Sequence, residues 1–236
     1  MTNLLPELQV VGERFRKNLS EEPTWRSLIA GTIPLGKYLS VLKTFRDYQY
    51  VTPPYLRDSV DRLGKLAEDK EFRLWLPQYQ TLIDRYREHA DEEEHPEPHW
   101  KWAMKDMAAL DGWDYIMDIR PSPPVQAYIS WYRHVSKTMP WATVGVAHPL
   151  EYISAGHSEE AAGNLIRNSG ILNIENAVRS LQGHSVDTEH IGEYEYLKTI
   201  TNEKVASDIL ATAELVARLF VSYPQHFGPP RNILEL

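Results

Sequence analysis

The chain has 236 residues, of which 42% are hydrophobic and 25% are charged, a composition typical of globular proteins and not of disordered ones. Its formal net charge of −8 argues against nucleic-acid binding, because phosphate recognition needs clustered Lys and Arg. The chain contains no cysteine, which excludes disulfides, thiolate metal sites, iron–sulfur clusters and cysteine nucleophiles. Any chemistry must therefore use histidine, carboxylates, hydroxyl groups or a bound cofactor.

Apolar residues recur at spacings of three and four along several segments, as they do on one face of an amphipathic helix. In chain order, the clearest of these segments are residues 35–48, 74–86 and 205–220. The segments are separated or bent at proline and glycine positions, namely 34, 53–54, 95–98, 112, 121–124, 149 and 170. Strand-like alternation is poor, so we predict an all-α fold of about seven or eight helices, each of roughly 10 to 25 residues.

The sequence also indicates the cellular location, the domain organisation and the assembly of the protein. No apolar run approaches the roughly 20 residues of a membrane span, and residues 1–15 do not resemble a secretory signal. We expect one helical domain over residues 1–236, in a soluble, cytoplasmic protein that binds neither nucleic acid nor membrane. A homodimer is a possible assembly, since dimers are the commonest oligomers.

Three clusters of hard metal ligands fall on three different predicted helices. The first is the acidic run at residues 91–100, where His99 opens a helix with an apolar face and a polar residue near that face needs a partner. In the second, His148 and Glu151 lie three apart in an apolar segment, where a carboxylate is costly unless it is paired or metal-bound. The alternatives are a solvated helix end for the first cluster and a hydrogen-bonded core glutamate for the second.

The third cluster is His184, Asp187 and His190, which follow one another in steps of three. On an α-helix each is rotated by about 60° from the last, so all three lie within about 120° of arc and can point to one centre. The alternative is a hydrophilic surface face. Because helical bundles build carboxylate-bridged dimetal sites from several helices, the three clusters together favour a metal centre.

The order and spacing of these residues resemble the haem-oxygenase-like diiron oxidases, which are related to the TenA thiaminases and the PqqC oxidase. In that family a Glu and a His flank a helix break, a second carboxylate follows some fifty residues on, and a late helix carries His-x-x-x-Asp-x-x-His. Here Glu92 and His99 are seven apart, Glu151 follows His99 by 52 residues, and His184 comes 33 residues later. Residues 24–51 also look like the start of the family.

The resemblance implies a haem-oxygenase-like helical bundle that binds two Fe(II) ions and uses O₂ as cosubstrate. The implied metal ligands are Glu92, His99, Glu151, His184, Asp187 and His190. The spacing departs from the family in one place, because only two residues separate His184 from Asp187 and Gly183 occupies the expected position. Either the helix is distorted at Gly183 or that ligand is lost; Glu93 is an alternative to Glu92.

The resemblance also implies an oxidase or oxygenase that acts on a small carboxylate metabolite, by desaturation, C–C cleavage, oxidative cyclisation or N-oxygenation. We favour a free amino acid, with Arg46, Arg133 and Arg179 as candidates to bind its carboxylate, since a guanidinium can hold a carboxylate through two hydrogen bonds. The alternatives are a metal-free enzyme of the same fold, a medium-chain fatty-acid oxidase, and a helical interaction protein without catalysis.

Overall fold

The structure is a computed structural model that describes residues 4–184 and 192–228. Its helices are α1 (Leu4–Glu21), α2 (Pro23–Ile29), α3 (Leu35–Gln49), α4 (Thr52–Leu66), α5 (Lys70–Trp75), α6 (Tyr79–Glu92), α7 (His99–Ala109), α8 (Trp113–Met117), α9 (Pro123–Thr138), α10 (Val144–Asn168), α11 (Arg179–Gly183) and α12 (Glu203–Ser222). Short 3-10 helices occupy Pro140–Thr143, Ile174–Asn176, Gly192–Thr199 and Tyr223–His226. These described residues contain no β-strand.

Eight of the described α-helices, α1, α3, α4, α6, α7, α9, α10 and α12, have between 11 and 25 residues, which agrees with the predicted number of long helices. The four others have five to seven residues each and show no repeating apolar face in the sequence. A helix of one or two turns is too short to show a repeating apolar face, so periodicity cannot reveal it.

Proline residues define the predicted breaks. Pro53 lies in the first turn of α4, where its missing N–H costs no hydrogen bond. The chain also leaves α6 before residues 95–98 and re-enters a helix at His99. The sequence predicts a bend at Pro149, and here the structure has a single α-helix of 25 residues that continues through the proline.

The long helices enclose one cluster of buried apolar side chains. Helix α10 packs against α1, α2 and α12, while α4 packs against α6 and α9, and α3 packs against α7. This arrangement brings the C-terminal end of α6, the start of α7, the middle of α10 and the end of α11 to one interior cavity. Among the described helices, none combines the length and the apolar character that a bilayer crossing requires.

Candidate metal centre and substrate cavity

A cavity of about 340 Å³ lies inside the bundle, which is the size of a small-molecule site. Most of its wall is apolar and includes Trp25, Leu28, Phe45, Leu150, Ile153 and Phe220. Histidine and carboxylate side chains gather in one part of the wall. We call five of them, His89, Glu93, His99, Glu151 and His184, the His–Glu cluster.

Glu93 is the central carboxylate of the His–Glu cluster. Its Oε1 lies 3.5 Å from His89 Nε2, and its Oε2 lies 3.1 Å from His99 Nδ1. The second of these contacts is close but is not aligned as a hydrogen bond, and both atoms are buried with no aligned partner among the described residues. The other ring nitrogen of His89, Nδ1, lies 3.4 Å from Glu151 Oε1. The imidazole of His89 therefore lies between the carboxylates of Glu93 and Glu151.

The loop between α6 and α7 explains why Glu93 and His99 meet. Glu93 caps the C-terminus of α6, and His99 is the first residue of α7. The backbone N–H of His99 donates to the carbonyl oxygen of Glu93 over 3.1 Å, which closes the loop. His89 lies one helical turn before Glu93, so its ring shares a face of α6 with the carboxylate.

In the His–Glu cluster, histidine and carboxylate side chains stabilise each other's charged forms. Burial alone would lower the pKa of His89, but the carboxylates of Glu151 and Glu93 outweigh it and raise the pKa to about 9. Burial alone would raise the pKa of Glu93, but the adjacent imidazoles of His89 and His99 hold it well below its usual range. Without metal, the cluster therefore holds an ionised Glu93 beside a protonated His89 at neutral pH.

Glu151 has a further partner that sequence analysis did not identify. The hydroxyl of Tyr194, in the 3-10 helix Gly192–Thr199, donates to Glu151 Oε2 over 2.6 Å. The ring of Tyr194 is buried and packs edge-on against His148 at 4.8 Å between ring centroids. A single tyrosine outside any periodic pattern gives no signal in the sequence that it will reach a site on another helix.

His184 caps the end of α11 and belongs to the same group of side chains. Its ring centroid lies 5.1 Å from that of His99, and its Nε2 lies 2.7 Å from the amide nitrogen of Gln49, from which it can accept a hydrogen bond. The preceding residue, Gly183, lies against the indole of Trp102, and a Cβ at this position would be 2.2 Å from a ring carbon. Trp102 thus fills the space that a side chain at residue 183 would need.

The structure brings together four of the six predicted metal ligands. Glu92, His99, Glu151 and His184 all line the cavity, whereas Asp187 and His190 lie outside the described residues. Glu93, the predicted alternative to Glu92, also lines the cavity, and the structure adds His89, whose four-residue spacing from Glu93 was a readable signal of a shared helix face. Within residues 4–184 and 192–228, no group of three or more His, Asp or Glu side chains converges tightly enough to hold a metal ion as it stands.

The predicted arginines lie elsewhere, and none of the described residues that line the cavity is an arginine. The guanidinium of Arg46 is buried and donates to Asp47 and to the carbonyl oxygens of Tyr115, Ile116 and Asp118. It is committed to this loop, so a role for Arg46 in binding a substrate carboxylate does not agree with the structure.

The two other arginines are exposed. Arg133 lies on the outer face of α9. Arg179 pairs with Glu97 at 3.3 Å and lies over the ring of Trp102, 5.6 Å from the ring centroid. Because Trp102 separates Arg179 from His99, Arg179 is a rim residue and does not reach the interior.

No protein-family model and no curated protein matches the chain. Among solved structures, the chain is similar to the crystal structure of a domain of unknown function with a haem-oxygenase-like fold from Shewanella denitrificans OS217, with a TM-score of 0.73. The two share 17% sequence identity, and the match covers 95% of this chain and 91% of that chain. The helical architecture that the resemblance implies is confirmed, and this chain has the haem-oxygenase-like fold.

Proposed function

We propose that the protein is a non-haem, iron- and O₂-dependent oxidase or oxygenase that holds two Fe(II) ions at the His–Glu cluster. The observation that carries this proposal is the buried carboxylate of Glu93, which lies between the imidazoles of His89 and His99 at the wall of an apolar cavity. Its substrate is a small carboxylate metabolite; the preference for a free amino acid remains a prediction from sequence.

The donor set fits iron. It contains imidazole nitrogens and carboxylate oxygens and no thiolate, which suits a non-haem iron site. The buried atoms Glu93 Oε2 and His99 Nδ1 face each other without a hydrogen bond among the described residues, as two metal ligands do when the ion is absent. The ligands we propose are Glu93 or Glu92, His99, Glu151, His184, Asp187 and His190, with His89 as a further candidate.

Iron held by such ligands with open coordination positions supplies the one-electron chemistry that activates O₂. The side chains around the site balance the charge of the metal, orient its ligands and bind protons. The carboxylates of Glu93 and Glu151 offset the charge of the metal, and Tyr194 orients Glu151 through its hydroxyl. His89 holds protons between Glu151 and Glu93 in the metal-free protein, so metal uptake must displace a proton.

The apolar wall has two effects on a bound substrate. It excludes water, which strengthens electrostatic interactions at the His–Glu cluster. It also favours a substrate with a substantial apolar part, because burying apolar surface is the largest source of affinity that this wall offers.

The test is iron binding by the chelated and repurified protein under anaerobic conditions. The wild type should retain about two Fe(II) per chain after desalting, and Glu93→Gln should retain less than one, because the substitution removes a charged ligand or neighbour of the metal. His134→Gln changes an exposed histidine on α9 and should leave the iron content unchanged. Iron content well below one per chain in the wild type would contradict the proposal.

The second step tests the reaction itself. The iron-loaded protein should consume O₂ when a substrate is added, so a screen of amino acids and other small carboxylates with an oxygen electrode identifies the substrate class. Glu93→Gln treated with Fe(II) in the same way and metal-free wild type are the matched blanks. Two results together would contradict an oxidase of small carboxylates. No candidate substrate would stimulate O₂ consumption, and mass spectrometry would find every candidate unchanged.

A metal-free enzyme of the same fold is the second candidate. It is favoured by the position of His89, whose ring nitrogens lie 3.4 Å from Glu151 and 3.5 Å from Glu93, and by the incomplete convergence of ligands among the described residues. The two candidates differ in one measurement, because a metal-free enzyme would turn over its substrate at full rate in the presence of a strong chelator.

A further inference from the structure

A second polar feature of the cavity lies away from the His–Glu cluster. His157 lines the cavity from α10, six residues after Glu151, which places it about 9 Å further along the helix axis. Arg16, on α1, does not line the cavity; its side chain is 34% exposed, and its guanidinium lies against Gly156, the residue before His157. The wall between Glu151 and His157 includes the apolar side chain of Ile153.

The Arg16–His157 pair, as we name these two side chains, has buried donor atoms without acceptors. Both ring nitrogens of His157 and Nε of Arg16 are buried, and no hydrogen-bond partner for them exists among the described residues. The nearest carboxylates are too distant for hydrogen bonds, since Glu160 lies 4.0 Å from His157 and Glu13 lies 3.9 Å from Arg16. Buried donors normally have partners, so this arrangement points to an absent acceptor.

The approach of Arg16 to α10 depends on a glycine. The guanidinium lies so close to Gly156 that a Cβ at this position would be 2.1 Å from Arg16 Nη2. It also lies over the ring of Tyr152, 5.2 Å from the ring centroid. Burial, together with the positive charge of Arg16, lowers the pKa of His157, so His157 is neutral at neutral pH and offers one N–H donor.

We propose that the Arg16–His157 pair binds the carboxylate of an amphipathic substrate, whose apolar part lies along the cavity wall toward the His–Glu cluster. Two N–H donors, one of them cationic, match a carboxylate better than a neutral group. The opposite end disfavours a free carboxylate in the metal-free protein, because three carboxylates, Glu92, Glu93 and Glu151, line it and outnumber the protonated His89. The charges at the two ends therefore set the direction in which the substrate lies.

This inference deepens the proposed function, on which it rests for the reacting end of the substrate. The distance of about 9 Å along α10 separates the carboxylate from the His–Glu cluster by several carbon–carbon bonds. The geometry thus favours a longer amphipathic carboxylate over a short α-amino acid whose reacting carbon lies next to its carboxylate.

The experiment is calorimetric titration of the metal-free protein with octanoate, and with octan-1-ol as the neutral compound of the same chain length. Octanoate should bind the wild type, and His157→Leu should weaken octanoate binding by about 10-fold or more, the value of a hydrogen bond to a charged group. The same substitution should change octan-1-ol binding by less than about 2-fold, since apolar contacts remain. His157→Gln keeps an N–H donor and should recover most of the affinity.

Arg16→Met should weaken octanoate binding in the same way, while Arg14→Met is the matched control, since Arg14 is an exposed arginine on the same helix. Thermal unfolding of each variant verifies that it is folded. Equal octanoate affinity in the wild type, His157→Leu and Arg16→Met would overturn the inference, as would failure of the wild type to bind octanoate. His157→Leu should bind as much iron as the wild type. A failure of the carboxylate inference, measured by octanoate binding, is therefore distinguishable from a failure of the iron proposal, measured by iron content.

Discussion

His148 shows how burial alone can tune a single side chain. It is only 2% exposed, and neither ring nitrogen has a hydrogen-bond partner among the described residues. Its ring stacks on Tyr152 and meets the edge of Tyr194, so the surroundings are aromatic. Burial disfavours the charged imidazolium and lowers the pKa of His148 from 6.5 to about 4.

This shift predicts a loss of stability in mild acid. The unfolded chain binds a proton at this histidine near pH 6.5 and the folded chain only near pH 4, so the stabilisation is complete above pH 6.5 and declines as the pH falls. The decline reaches about 3 kcal/mol by pH 4, from roughly 1.4 kcal/mol per pKa unit. Urea unfolding of the metal-free protein between these pH values should show it.

His148→Phe should flatten that decline, because phenylalanine keeps the aromatic packing and cannot bind a proton. His134→Phe, on the exposed face of α9, is the control and should leave the slope with pH unchanged. Parallel curves for the wild type and His148→Phe would show that other groups cause the acid sensitivity.

Single residues also mark the limit of prediction from the sequence. His99 and Glu151 were identifiable because each is polar within an apolar helical pattern, and both line the cavity. Tyr194 and Arg16 were not identified, because their importance depends on contacts with helix α10 that the local sequence does not encode. Arg46 was predicted to bind a substrate carboxylate, but it binds backbone carbonyl oxygens of a loop. The sequence does not distinguish a buried arginine that binds a ligand from one that binds a loop.

Helix α11 illustrates an element that exists only because of its neighbours. It has five residues, too few to be stable alone. The carboxylate of Asp106, on α7, accepts hydrogen bonds from the backbone N–H groups of Arg179 at 3.2 Å and Ser180 at 2.8 Å, which caps the helix start. No pattern within residues 179–183 could have predicted it, because the capping residue lies 73 residues earlier in the chain.

The end of α11 gives a prediction about Gly183. Gly183→Ala should destabilise the protein by about 1–3 kcal/mol, because its methyl group would overlap the indole of Trp102. The same contact positions His184, so the variant should also bind less Fe(II). Chemical unfolding and iron analysis of the purified variant measure the two effects.

Gly64→Ala is the matched control for this prediction. Gly64 lies inside α4, and an added Cβ there meets no described atom within 4 Å, so alanine should stabilise the protein by roughly 0.5–1 kcal/mol. A second variant that combines Gly183→Ala with Trp102→Leu should regain part of the lost stability. If Gly183→Ala behaves like Gly64→Ala, the contact with Trp102 does not fix the end of α11.

At the scale of the molecule, the proposed metal links helices that are far apart in the chain. Fe(II) that binds only the folded protein should stabilise it by about 2.7 kcal/mol at 100 times its Kd. For a chain of 236 residues this corresponds to a rise in Tm of roughly 5–10 °C. Anaerobic differential scanning fluorimetry with increasing Fe(II) measures the shift.

Glu93→Gln should lose most of this thermal shift, and the exposed variant His134→Gln should keep it. Glu93→Gln also removes a buried charge that His89 and His99 compensate, so each variant is compared with its own metal-free form. A shift of equal size in the wild type and Glu93→Gln would indicate that iron binds elsewhere.

The fold of the whole molecule was more predictable than its cavity. Three periodic apolar segments, together with the proline and glycine breaks, predicted seven or eight long helices, because an amphipathic helix must bury its apolar face whatever its partners are. The cavity depends on the packing angles and side-chain volumes of many helices at once, and these are not visible in local patterns. The order of the metal-ligand candidates along the chain identified one part of the cavity wall, since Glu92, His99, Glu151 and His184 all line it.

The two chain-distant helices α1 and α12 both contribute to the cavity wall, through Leu19 and Phe220. The wall is therefore incomplete until a segment more than 200 residues beyond Leu19 has been synthesised. While the nascent chain is still on the ribosome, its aromatic and aliphatic wall residues have no closing partner, and this growing chain is the species most exposed to aggregation. Binding competence should therefore emerge late during translation, after Phe220 has been added.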